Sequence, residues 1–146
     1  MPDPAILKVG YPVKSMLVLE EIIVLGNDRG ELKLIDKFTH FLELATLVCC
    51  DDPVIGIEEK HGLLLVHHKD GTIFIIQYTK TGVESWTLKQ IGKVETKYEG
   101  PCAFTSTIAC EIKEDKVIPH ILIITPWLEK PNHLKVWVLD AANEKV

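Results

Sequence analysis

PVIGIEEKHGLLLVHHKDGTIFIIQY, residues 53 to 78, has a near copy 41 positions upstream. The shift lays Pro12-Val13 on Pro53-Val54 and Ile22-Ile23-Val24-Leu25 on Leu63-Leu64-Leu65-Val66. It also lays Gly30 on Gly71 and LKLI (Leu32 to Ile35) on IFII (Ile73 to Ile76), with no gap. Short apolar strands around a Gly turn, repeated at this spacing, have the period of a four-stranded propeller blade. Working outward, Val13 to Leu19, Ile22 to Gly26, Glu31 to Asp36 and Phe41 to Val48 read as the four strands of a first unit. They are too closely spaced for helical crossovers and should run antiparallel. Gly30 is placed for positive φ, which closes a short hairpin without a Cβ clash.

The second unit repeats the order: Val54 to Glu58, Leu63 to His68, Thr72 to Tyr78 and Val83 to Ile91. Lys69-Asp70-Gly71 is the strongest hairpin signal in the chain. The unbroken apolar run after it predicts burial on both faces, as for a strand between stacked sheets. A third unit is stretched. LKVWVL (Leu134 to Leu139) is similar to Ile73 to Tyr78 at an offset of 61 rather than 41, and Asn132 stands where Gly71 would. Cys102 to Ile112 and Val117 to Thr125 supply its other strands. The excess is assigned to Gly92 to Gly100, the charged Lys113 to Lys116 and a long hairpin at Trp127 to Pro131. The expected fold is all-β: about three four-stranded antiparallel blades of a partial propeller, spanning residues 12–50, 53–92 and 101–146.

Composition sets the class. The 146 residues are 47% hydrophobic and 25% charged, a globular balance. A net charge of −5 argues against general affinity for nucleic acid or anionic membrane. No apolar run approaches the roughly 20 residues of a membrane helix. Cys49, Cys50, Cys102 and Cys110 lack disulfide-framework spacing. With an acidic MPDPAILK start, they point to a reducing compartment, cytoplasmic or nuclear.

The units resemble degenerate WD repeats. Ile35-Asp36, Ile76-Gln77 and Trp137-Val138 stand in the Trp-Asp place, and the family's buried Asp-His-Ser-Trp set cannot be assembled. Apolar packing must therefore carry more of the blade stability. LLLVHHKDGTIFIIQY, then PCAFTSTI, then HILIITPWLEKPNHLKVWVLD are similar to the second and third blades of the ASTRA-associated WD-repeat family, related to the G-protein β-subunit-like proteins. The resemblance implies a cytoplasmic or nuclear adaptor in a chaperone assembly that matures phosphatidylinositol-3-kinase-related kinases.

Catalytic chemistry finds little support. Cys49-Cys50 with His67-His68 invites a zinc site, but adjacent strand residues point to opposite faces, and no C-x₂-C or H-x₃-H spacing is present. Small buried thiols and partly exposed histidines are the expected reading, with no cofactor. NDRG and KDG lack the strand-to-helix geometry of a phosphate loop. Ser85 and Ser106 have no nucleophile signature, and Asp51-Asp52 and Glu58-Glu59 read as solvated turn charges. A non-enzymatic protein-binding scaffold is expected. Second-to-third-strand hairpins share one rim with the blade connectors, which places Arg29, Lys69, Asp70, Tyr98, Trp127 and Lys130 as candidate partner-binding residues; Arg, Tyr and Trp are favoured in interface hot spots. Three blades are fewer than a ring needs. The Asn143 to Val146 ending reads as an interrupted strand, so the chain is expected to continue. Otherwise a homodimer or a complementing chain closes the propeller, the structural self-assembling alternative. A β-sandwich, without radial symmetry, is the alternative fold.

Overall fold

The computed structural model describes residues 9–38, 41–60, 62–96, 105–126, 129–130 and 132–140. Every regular element among them is a strand. The first sheet, in order β1-β2-β3-β4, is Val13–Val18, Ile22–Asn27, Glu31–Asp36 and Glu43–Val48. The second, β5-β6-β7-β8, is Val54–Lys60, Leu63–His68, Thr72–Lys80 and Trp86–Glu95. The third has β9 (Thr105–Lys113), β10 (Lys116–Pro126) and β11 (Leu134–Asp140), with β10 in the middle. All pairings are antiparallel.

The duplication seen in the sequence extends to irregularities. β1 and β5, β2 and β6, and β3 and β7 begin 41 residues apart. The register shift between Val13 and Ser15 recurs between Val54 and Gly56, at the same repeat positions. First strands lie beside first strands and last beside last: β1 packs on β5, β5 touches β9, and β4 packs on β8. That succession is the fan of propeller blades, with first strands innermost.

Both faces of the second sheet are buried. Leu64, Val66, Phe74 and Ile76 pack against Ile22, Val24, Leu32 and Leu34 of the first sheet, with Val54 closing the seam. Leu63, Leu65, Ile73, Ile75 and Val94 pack the other way, against Ile123 and Trp137 of the third. The alternation follows from the two-residue period of a strand. The Trp137 Nε1–H donates to Thr125 Oγ1 at 3.1 Å, which satisfies the indole at that seam.

Several strand boundaries differ from the sequence reading, each for a local reason. β4 starts at Glu43 because Phe41 takes φ 52, outside any strand, and Asp36 N–H bonds the Leu42 carbonyl at 2.8 Å. β7 runs on to Lys80, so Val83 belongs to a loop held by Ser85, whose carbonyl accepts from Thr81 N–H at 2.7 Å. β8 then passes Gly92 through a bulge opposite Ile75 and Ile76 and buries Val94. Lys113 to Lys116 is not an inserted segment. Glu114 and Asp115, at φ 52 and 60, form a two-residue turn between long paired strands. The long hairpin at Trp127 to Pro131, with the turn assigned to Asn132, runs through residues outside the described set. Residues 143–146 and Cys102 lie outside it as well.

Gly30 has φ 78, and a Cβ there would meet the Cys50 carbonyl oxygen at 1.9 Å and that of Asp52 at 2.8 Å. The first hairpin therefore presses on the connector between sheets one and two. Gly71 (φ 93) plays the matching part: its carbonyl accepts from Thr96 N–H at 3.0 Å, after the second sheet. Gly62, at φ 80, has open space around its Cβ position. Gly62→Ala should cost only the left-handed strain, about 1 kcal/mol. Gly30→Ala adds a backbone collision and should cost at least about 3 kcal/mol. Urea unfolding of both variants checks the difference, and equal losses would mean that the close approach is not formed.

Candidate functional site

The second-to-third-strand hairpins put Arg29, then Lys69 and Asp70, at equivalent places on the first two blades, all exposed. Lys130 holds the corresponding place in the third and is exposed too. Tyr98 and Trp127 lie outside the described residues. The polar groups here are partly occupied by the fold. Asn27 Oδ1 accepts from Arg29 N–H and Glu31 N–H, both at 3.0 Å, and Asn27 Nδ2 donates to Glu31 Oε1 at 2.8 Å. Arg29 Nε stands 3.7 Å from Glu31 Oε1, a long pair with an exposed arginine and of little energetic weight. Asp70 Oδ1 accepts from Thr72 N–H at 2.9 Å, so one oxygen fixes its own turn. Lys130 offers its carbonyl to His133 N–H at 2.9 Å.

Behind this rim the histidines are buried, at 3% exposure for His67 and 1% for His68, which corrects the expectation of partial exposure. The reason is their place at the end of β6, in the strand buried on both sides. His68 meets Phe74 edge-on, centroids 5.0 Å apart at 81°. Burial holds its imidazole below the ordinary range, against the opposing pull of the Gly30 and Val66 backbone and of Asp70 and Asp52. Burial, then the neighbouring His68, lowers His67 as well, with Asp70 opposing. The half-buried Cys49 thiol is pushed up to about 11 by burial and by Cys50, and burial raises Cys50 too. Neither thiol carries an appreciable thiolate at neutral pH. Among the described residues, no group of three or more His, Cys, Asp and Glu side chains is gathered to hold a metal ion. No helix among them is long and apolar enough to cross a membrane.

The sequence reading missed a depression of about 130 Å³ at the opposite end of the blades, across the seam between the first two. Glu21 comes from the β1–β2 turn, Asp36 and Phe38 from the end of β3 and its loop, and Leu44 from β4. Lys80, Val83 and Trp86 come from the β7–β8 turn. Trp86 stacks on Tyr78, centroids 6.2 Å apart at 18°, and the Tyr78 hydroxyl donates to Glu59 Oε1 at 3.2 Å. Lys80 Nζ bridges the blades to Glu21 Oε1 at 3.0 Å and lies 5.9 Å from the Trp86 ring centroid. Phe38 is 73% exposed and Val83 90%, at the lip. Asp36 Oδ1 accepts from Phe38 N–H at 2.8 Å and sets the start of that loop. The volume is well below the roughly 300 Å³ of a small-molecule site and is of the size of one side chain. Aromatic residues at turn ends were the available signal. It was hidden because the contributing turns lie some 40 to 65 residues apart in sequence.

No protein-family model and no curated protein matches the chain. Solved structures do. Sqt1 of Saccharomyces cerevisiae is similar over 90% of this chain at 11% identity and a TM-score of 0.55; the match spans 36% of Sqt1. The computationally designed Ika4 protein is similar over 94% of this chain and 98% of its own, at 12% identity and a TM-score of 0.56. At such identities the likeness concerns fold alone, and it agrees with a β-propeller-like arrangement.

The lowered His67 and His68 values carry a pH signature. An unfolded imidazole binds a proton near pH 6.5, while the folded form resists it. The stabilisation is thus fully present above about 6.5 and is lost as the pH falls below it. Stability should decline as the pH falls from about 6.5 towards 5, and His68→Leu should flatten that decline. Denaturation midpoints across the range check this; an unchanged slope in the variant would remove His68 from the account.

Proposed function

We propose that the chain is a non-enzymatic protein-binding scaffold of WD-repeat-like blades. The observation that carries this reading is the depression between the first two blades, lined by Trp86 and by the strongly exposed Phe38 and Val83. Exposed aromatic and aliphatic groups around a pocket of side-chain size suit a partner's anchoring residue, the usual centre of binding energy. Glu21, Asp36 and Lys80 around it supply polar groups for orientation. The resemblance to the ASTRA-associated family supports a chaperone assembly serving phosphatidylinositol-3-kinase-related kinases as the partner class, in cytoplasm or nucleus. The hairpin rim of Arg29, Lys69, Asp70, Tyr98, Trp127 and Lys130 is the second surface on which such a partner would rest.

Affinity capture from cell extract, read by quantitative mass spectrometry, tests both surfaces. Phe38→Ser with Val83→Ser should reduce recovery of the specific partners about 10-fold or more, the loss expected for one hot-spot cluster. The unfolding midpoint should hold, since both side chains are exposed. Arg29→Ala, Lys69→Ala and Trp127→Ala together report on the hairpin rim. Undiminished recovery with both sets would end the scaffold reading.

A further inference from the structure

Each internal seam buries one face from each of two neighbouring sheets, which leaves two faces over. On the first sheet, register places Met16 with Leu25 and Val18 with Ile23 on the side away from the second sheet. Leu25 is buried there, but Met16 is 62% and Val18 52% exposed. On the third sheet, Trp137 and Ile123 face inward. Val136 pairs with Ile124 and Val138 with Leu122 on the outward side. Val136 is 56% exposed and Val138 49%. Both ends of the fan thus present apolar β-surface of the kind already packed twice inside the chain.

We propose that these two faces pack on each other between two copies of the chain, giving a closed six-bladed ring. A ring takes about four to eight blades, so the three sheets described in this chain do not close one by themselves, whereas two copies bring six. The pairing is heterologous, first face on third, so two copies related by a twofold along the ring axis make two identical seams. Area agrees. Strands about 4.8 Å apart, with some six residues each at about 3.3 Å, give roughly 300–400 Å² per sheet face. Two seams then bury roughly 1,400 Å², the size of a standard stable interface. Of the polar residues on the first face, Lys33, Glu43 and Thr46 are bonded to one another and Glu31 is bonded to Asn27 and paired with Arg29; all lie on β3 and β4, away from the exposed apolar strand.

Sedimentation of the 146-residue chain should give twice its 16.4 kDa mass. A species at the single-chain mass, or an open series of larger assemblies, overturns the proposal without any variant. Met16→Glu with Val18→Glu, on the first face, should convert the dimer to monomer, raising the dissociation constant at least about 100-fold. Val136→Lys with Val138→Lys, on the third, should do the same. Mixed in equal amounts, the two variants should re-form a dimer, because one seam is unaltered and the other sets Glu against Lys. A mixture that stays monomeric while both variants keep the wild-type circular dichroism spectrum would refute the heterologous pairing.

Discussion

Burial of the second sheet on both faces is the constraint from which the arrangement of this molecule follows. Leu64, Leu65, Ile73, Ile75 and Ile76 are wholly inaccessible, and each contributes about 1.5–3 kcal/mol of transfer free energy. A strand with one apolar face resists slipping by one residue, because the slip turns its apolar set to water. β6 and β7 lack that protection, since either face can be buried. Their register must come from the turn. There the Gly71 N–H bonds the His68 carbonyl at 3.0 Å and Asp70 holds Thr72 N–H. The most explicit turn in the sequence therefore stands between the two strands least able to align themselves.

The outer sheets are subordinate to this slab. The first sheet gives Ile22, Val24, Leu32 and Leu34 to the seam and carries Lys33, Glu43 and Thr46 on its other side. The third gives Ile123 and Trp137 and leaves Val136 and Val138 outward. A middle layer with two dry faces and flanking layers with one is the expected order of a fan of blades, since only interior blades have two neighbours.

Much of this was legible in the residues. The 41-residue shift located three strand pairs and the positive-φ glycines Gly30 and Gly71, because strand starts and turn residues are local signals. Boundaries were lost where pairing overrode local pattern. β8 begins at Trp86 because β7 extends to Lys80 to meet it, and Glu114-Asp115 turns tightly although Glu is not a favoured turn former and no glycine follows. The exposure of Arg29, Lys69 and Asp70 could be read from hairpin position. The depression could not. Its walls come from turns that meet only after the first two sheets have packed, and no spacing rule links Glu21 to Lys80 or Phe38 to Trp86.

The two repeats differ at both ends of their strands, and in different ways. Asn27 and His68 occupy the same repeat position, the last residue of the second strand, and both are buried. Asn27 is satisfied by three hydrogen bonds to its own hairpin, whereas His68 packs edge-on against Phe74. One backbone site thus accommodates two chemistries in hairpins of the same shape, which marks this buried position as architectural. At the opposite end shape itself diverges. The third-to-fourth-strand connection wraps through Phe38 and Phe41 in the first blade, and through the Ser85-clasped loop bearing Val83 in the second. Identical loops would set like against like across the seam. Because they differ, an exposed aromatic side chain from one loop and an exposed aliphatic one from the other line the same depression together with Trp86, an asymmetry that an exact duplication would lack.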